Sequence, residues 1–285
     1  MFRRQYMTSA AIAALAGSAL MMSAAPSAFA DAGSPSAQRA AQLVEKATGT
    51  ADLAPDAPVA GSPARALTAT AAGTATVTAP ATSVGAVSAG LPTGGTLSLG
   101  LPGTAAVTGS RQADGTVVYP DAAKDADLAV QPTKDGGART LVTLKDSSAP
   151  TTWRFPLALP EGAAAQLQVD GSILVSRGDE VLGSFDAPWA TDAAGRPVPT
   201  SYRLEGATLV QTVEANAATA FPVVADPWWK PTSWHVPKFA KCVAKNSMGG
   251  AAAGIVGGAF AGGVGAGPGG FIGALGGAAN GAVTC

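Results

Sequence analysis

The sequence predicts a mainly β fold, an antiparallel β-sandwich or barrel followed by a C-terminal Gly-rich α-helical hairpin. Three observations carry that reading. Between Thr96 and Pro227, apolar residues come in short alternating runs broken by turn residues. Within Gly249–Gly281, 15 of 33 residues are glycine, many at four-residue spacing. Charge is split as well: residues 31–226 hold 12 basic and 19 acidic side chains, whereas residues 227–285 hold four lysines and no acid. Such asymmetry points to two parts with different jobs.

At the N-terminus, Arg3 and Arg4 form a short basic region, Ala10–Met22 is apolar and uncharged, and Ala28-Phe29-Ala30 precedes Asp31. That is the pattern of a cleaved secretory signal. The apolar run is shorter than the roughly 20 residues a spanning helix needs. Residues 1–30 are therefore expected to be removed on export. Arg3-Arg4-Gln5-Tyr6-Met7 loosely resembles a twin-arginine signal, and Sec export is the simpler route. The protein is expected to be secreted, either extracellular or associated with the cell wall.

Residues 31–95 are rich in Ala, Thr, Pro and Gly and are expected to be a flexible linker. A stretch such as Thr68–Val77 offers too little large apolar area to offset the cost of ordering it. A short helix over Ala37–Ala47, with Leu43 and Val44 as a thin apolar face, is the exception.

Residues 96–227 read as the β domain. Trp153, Phe155, Leu157 and Leu159 alternate with strict period two, and Pro156 among them suits an edge strand. Leu167–Val175 reads as a hairpin whose Asp170-Gly171 pair makes a type I′ turn. Arg203–Leu209 suggests a second hairpin. Further strands are expected at Gly115–Tyr119, Asp127–Gln131, Thr140–Lys145, Val181–Phe185 and Phe221–Val224. Seven or more short strands with frequent turns fit a sandwich or barrel.

The stretches Val118-Tyr119-Pro120-Asp121, Asp127-Leu128-Ala129-Val130 and Thr140–Lys145 resemble the β-domain of secreted proteins from high-GC Gram-positive bacteria, which is related to a module in Rhs/YD-repeat wall proteins. Closer signatures are Ala187-Pro188-Trp189-Ala190-Thr191-Asp192-Ala193-Ala194-Gly195 and Phe221-Pro222-Val223-Val224-Ala225-Asp226-Pro227. The resemblance covers roughly residues 96–227. It implies a β fold and an extracellular or wall location, and it brings no catalytic residues with it.

Residues 228–247 are read as an interfacial segment. Trp228, Trp229 and Trp234 lie among Lys230, Lys238, Lys241 and Lys245, a mixture suited to an anionic headgroup zone. In residues 248–285, Gly250, Gly254, Gly258 and Gly262 repeat every four residues, as do Gly269, Gly273, Gly277 and Gly281, with Pro268 between the two series. Four-residue spacing puts each set on one helix face, the small-xxx-small device of membrane helix pairs. A hairpin of Met248–Ala266 and Gly270–Val283 follows. In water each interior glycine costs ~1 kcal/mol relative to alanine, so a lipid surface or a partner is the expected setting.

At ~1.5 Å per residue the arms are about 28 and 21 Å long, and the second falls short of a ~30 Å hydrocarbon core. Shallow insertion or self-association fits that length. Cys242 and Cys285 bracket the tail; a disulfide between them is the simplest reading, and two free thiols or an intermolecular link is the alternative. The tail resembles class II bacteriocins, a resemblance that implies membrane permeabilisation.

No catalytic, cofactor-binding or metal-binding residue is predicted. His235 is the only histidine, it lies away from any nucleophile signature such as G-x-S-x-G, and no phosphate loop or G-x-G-x-x-G stands after an expected strand, the tail glycines following none. Asp121, Asp125 and Asp127 lack the Gly and terminal Glu of an EF-hand and read as a solvated turn. Sparse charge with no basic stripe argues against nucleic acid. The leading expectation is a secreted, non-enzymatic protein whose tail interacts with a membrane, permeabilisation being the stronger form of that reading. The rival is a structural or adhesive cell-surface protein with a passive, envelope-associating tail. An unrecognised hydrolase ranks third, since carboxylate geometry is invisible in sequence.

Overall fold

The computed structural model describes residues 34–235. They form one helix and two antiparallel sheets. The helix α1 (Pro35–Thr48) leads into β1 (Asp56–Val59), β2 (Ser62–Thr70), β3 (Gly73–Thr78), β4 (Ala86–Gly90) and β5 (Thr96–Gly100). Then come β6 (Ser110–Arg111), β7 (Val117–Ala123), β8 (Ala126–Pro132), β9 (Ala138–Leu144) and β10 (Thr152–Ala158). The remaining strands are β11 (Ala163–Leu167), β12 (Ile173–Arg177), β13 (Glu180–Phe185), β14 (Ala190–Thr191), β15 (Thr200–Glu205), β16 (Thr208–Val213), β17 (Val223–Ala225) and β18 (Trp228–His235). Sheet 1 runs β1-β2-β3-β4-β5-β10-β16-β15; sheet 2 runs β11-β12-β13-β18-β9-β8-β7-β6, with β17 on β9 and β14 on β17.

The two sheets share one core, which makes the body sandwich-like. Sheet 1 contributes Val77, Leu97, Leu99, Phe155 and Leu209, and sheet 2 contributes Tyr119, Leu128, Val142, Ile173 and Phe185. The short helix expected over Ala37–Ala47 is present as α1, but the rest of the expected linker over residues 31–95 is overturned from residue 34 onward, because all of β1–β4 lie there. The physical reason is cross-sheet packing. Ala64, Val77, Ala79, Val87 and Ala89 are small, but each is buried in the core cluster that holds the large side chains of the opposite sheet. Burial against a partner supplies the driving force that the segment's own composition lacks. Tyr119 fixes the connection: its hydroxyl donates to Pro80 O at 2.7 Å.

Strands β8 and β9 are buried along their whole length. Leu128, Val130, Val142 and Leu144 face the shared core, whereas Ala129 and Leu141 belong to a second cluster under α1. The helix covers them with Ala37, Ala40, Ala41 and Val44, the i, i+3, i+4, i+7 face of an amphipathic helix. Ser34 caps its N-terminus by accepting the Ala37 N–H at 3.1 Å, and Pro35 stands in the first turn. Gly49, at φ 70°, ends it with an N–H donated to Glu45 O at 2.8 Å.

Every strand expected between residues 115 and 224 has a counterpart, but two details differ. The Leu167–Val175 hairpin closes through Gln168–Ser172, and Gly171 (φ 85°) is its only positive-φ residue. That is the three-residue loop ending in a glycine bulge rather than a type I′ turn, which needs two positive-φ residues. Strand β10 has the expected alternation, with Trp153, Phe155 and Leu157 buried, yet it is interior. Pro156 is tolerated because β5 pairs only with Leu157 and Ala158. Opposite the ring stands Gly100, where an added Cβ would come within 3.0 Å of Pro156 Cδ.

Gly183 of β13 lies under Trp229, and an added Cβ would meet Trp229 Cη2 at 2.3 Å and Lys230 O at 2.5 Å. Gly183→Ala is therefore expected to cost ~1–3 kcal/mol by overpacking, read as a lower thermal midpoint with unchanged secondary structure below the transition.

Candidate functional site

The C-terminal root of the body is where the two parts of the sequence meet. Strand β18 pairs with β13 through Phe185↔Trp229, Ser184↔Lys230 and Glu180↔His235, and with β9 through Trp228↔Arg139 and Trp229↔Ala138. Trp229 is 2% exposed and packs on Phe185, with ring centroids 5.1 Å apart and tilted by 55°. Trp228 is half-buried between two cations: Arg139 Cζ lies 4.0 Å and Lys230 Nζ 3.8 Å from its ring centre. Lys230 also pairs with Asp186 at 2.6 Å, and the Arg139 guanidinium grips Asp52 through both Nη atoms.

The interfacial reading is thus corrected for Trp229, which is a core side chain. Trp228 and Lys230 are engaged by the protein's own charges rather than presented to headgroups. The β body accordingly runs on to His235, eight residues past the boundary the sequence suggested. A strand with Trp beside Lys reads the same whether its partner is lipid or a neighbouring strand. Trp234 lies on β18 as the pairing partner of Val181. Lys238, Lys241, Lys245, Cys242, Cys285 and the glycines Gly250, Gly254, Gly258, Gly262, Gly269, Gly273, Gly277 and Gly281 lie outside the described residues.

Just before β18, the two most distinctive motifs come together. Strand β14 pairs with β17 through Ala190↔Ala225 and Thr191↔Val224. Asp226 closes the junction: its Oδ1 accepts the Trp189 N–H at 3.0 Å, and its own N–H donates to Trp189 O at 3.3 Å. Gln211 Nε2 donates to the same Oδ1 at 3.1 Å, and to Thr200 Oγ1 at 3.3 Å. Asp226 is fully buried, and burial raises its pKa to about 7 against the pull of its hydrogen bonds. Burial also holds the Tyr202 hydroxyl well above its ordinary value, with Asp226 adding to the effect.

Asp192, in the other motif, is the opposite case. It accepts N–H bonds from Ala194, Arg196 and Ala220 and is clasped by the Arg196 guanidinium at 2.7 and 2.9 Å. Those contacts, the guanidinium first, hold its carboxyl down at about 2. Sequence reading missed the Asp226, Tyr202 and Gln211 grouping. The available signal was an aspartate closing the apolar run Phe221–Ala225.

Asp121, Asp125 and Asp127 do lie near one another, but lysines stand among them. Lys145 Nζ is 2.5 Å from Asp121 and 2.6 Å from Asp127, and Lys124 pairs with Asp125 at 2.7 Å. Asp121 and Asp125 take positive φ, 55° and 48°, at the two ends of the turn. Among the described residues no three His, Cys, Asp or Glu side chains are grouped to hold a metal ion. No helix among them is long and apolar enough to cross a membrane.

Two shallow cavities are small. One of about 80 Å³ lies between Leu43 and Lys46 of α1 and the Asp192–Gly195 turn. The other, of about 150 Å³, lies between Leu144, Phe221 and Asn216. Both are below the ~300 Å³ at which small-molecule sites begin. Compared with known proteins, the chain matches no family model, no curated protein and no solved structure.

Trp229→Ala is expected to cost ~3–5 kcal/mol, the range for emptying a buried aromatic site, and Trp228→Ala distinctly less because its ring is half-exposed. Denaturant midpoints of the two variants check this order. Equal, small losses would return Trp229 to the surface.

Proposed function

We propose that the protein is an exported, non-enzymatic carrier whose β body holds the root of a membrane-active C-terminal segment. The observation that supports this most directly is the position of β18. The last described strand is buried in sheet 2 through Trp229, so everything after His235 departs from a fixed place on a folded body. Such a root suits a tail that must be delivered intact and presented at a surface.

In this reading Lys238, Lys241 and Lys245, with Trp234, meet anionic headgroups. The two glycine series form the facing sides of a helical hairpin turned at Pro268, and a Cys242–Cys285 disulfide ties its open end. Short arms make shallow insertion or assembly of several copies the mode of action. The resemblance to class II bacteriocins and to β-domains of wall-associated secreted proteins supports the same assignment, with membrane lipid as partner and no cofactor.

Dye-loaded vesicles of anionic lipid, treated with the purified full chain, provide the test. Release is expected at low protein-to-lipid ratio, and it should be lost in the Gly254→Leu/Gly258→Leu double variant. Absence of release, or equal release by both proteins, would instead support a passive envelope-associated surface protein.

A further inference from the structure

The Asp226 grouping joins the two sheets at the root of β18, and its hydrogen bonding is incomplete. Tyr202 and Gln211 are cross-strand partners on β15 and β16 of sheet 1, whereas Asp226 and Trp189 belong to the β17–β18 and β13–β14 connections of sheet 2. Asp226 Oδ1 carries two donors, from Trp189 and Gln211. Asp226 Oδ2, Gln211 Oε1 and Tyr202 Oη are all buried without a geometrically complete hydrogen bond. Two of these three atoms are pure acceptors, and the hydroxyl is the one donor available to them. A carboxylate at Asp226 leaves the set short of a donor and places a charge in the core. A carboxylic acid supplies the missing donor and removes the charge.

We propose that Asp226 is a proton-operated latch: neutral, it closes the seam between the sheets over the root of β18; ionised, it loosens that seam and the strand that carries the tail. The charged and titratable neighbours are few. Tyr202 faces it from β15 and stays neutral, held there chiefly by burial. Asp186 acts on Tyr202 from the β13–β14 connection, and is itself paired with Lys230 of β18 at 2.6 Å. Burial is what opposes ionisation of Asp226, while Trp189, Tyr202 and Gln211 pull the other way without overcoming it.

The direction of the pH effect follows. The folded-state pKa of about 7 lies above the unfolded value of about 3.9. The latch therefore stabilises fully below about pH 4, loses its contribution as pH rises to about 7, and is flat beyond. This holds whatever the tail binds.

The full chain is compared with Asp226→Asn, which keeps the shape and a donor but cannot ionise. Hydrogen-exchange protection of the Trp189 and β18 amides, corrected for intrinsic rates, is followed from about pH 5 to pH 8. A fall of ~10-fold or more is expected in the native chain, since one pKa unit corresponds to a factor of ten, and a flat profile in the Asn variant. Identical profiles would overturn the latch. Should the variant fail to fold, direct NMR titration of the Asp226 carboxyl in the native chain decides: a midpoint near 7 supports the latch, and one below 5 refutes it.

Discussion

Strand β18 is the one strand that joins the two halves of sheet 2 among the described residues. On one side it pairs with β13, and through it with β12 and β11; on the other it pairs with β9, and through it with β8, β7 and β6. Trp229 is the bolt, inserted between the backbone of Gly183 and the ring of Phe185. The last strand among the described residues therefore sits near the middle of a sheet, and the body is incomplete until it arrives. Non-local closure of this kind puts much of the ordering cost early and the reward late.

Around that joint the remaining elements solve one problem each. Strands β8 and β9 are buried on both faces, so α1 supplies the outer cover with alanines and Val44. Sheet 1 supplies the inner cover, and its first strands can be built from Ala, Thr and Val because Tyr119, Leu128 and Phe185 bring the bulk. Ion pairs tie the ends: Arg111 with Asp56 at 3.1 Å joins β6 of sheet 2 to β1 of sheet 1, and Arg139 with Asp52 fastens the segment after α1.

Much of this was legible in sequence where a residue's own pattern decides its state. Period two in Trp153–Leu159 and the glycine turns near Gly171 and Gly206 specified strands and hairpins at the right places. It was illegible where the deciding partner is distant. Thr68–Val77 looks unable to order itself and cannot do so alone; its partner is the far sheet. Trp228, Trp229 and Lys230 carry a headgroup-like composition, yet Arg139, Asp186 and Phe185, remote in sequence, complete their environment. The buried set of Asp226, Gln211 and Tyr202 failed for the same reason: its members come from three strands or connections, and only the fold brings them together.

The claim that the tail's root is a structural strand is tested most directly by two truncations, one ending at His235 and one ending at Pro227. Unfolding of each is followed by denaturant titration, with hydrogen exchange read separately on β11–β13 and β6–β9. The chain ending at His235 should unfold cooperatively like the full protein, and the chain ending at Pro227 should lose protection in β11–β13 and much of its stability. If the chain ending at Pro227 unfolds at the same midpoint with β11–β13 still protected, β18 is a dispensable appendage and the body does not hold the tail.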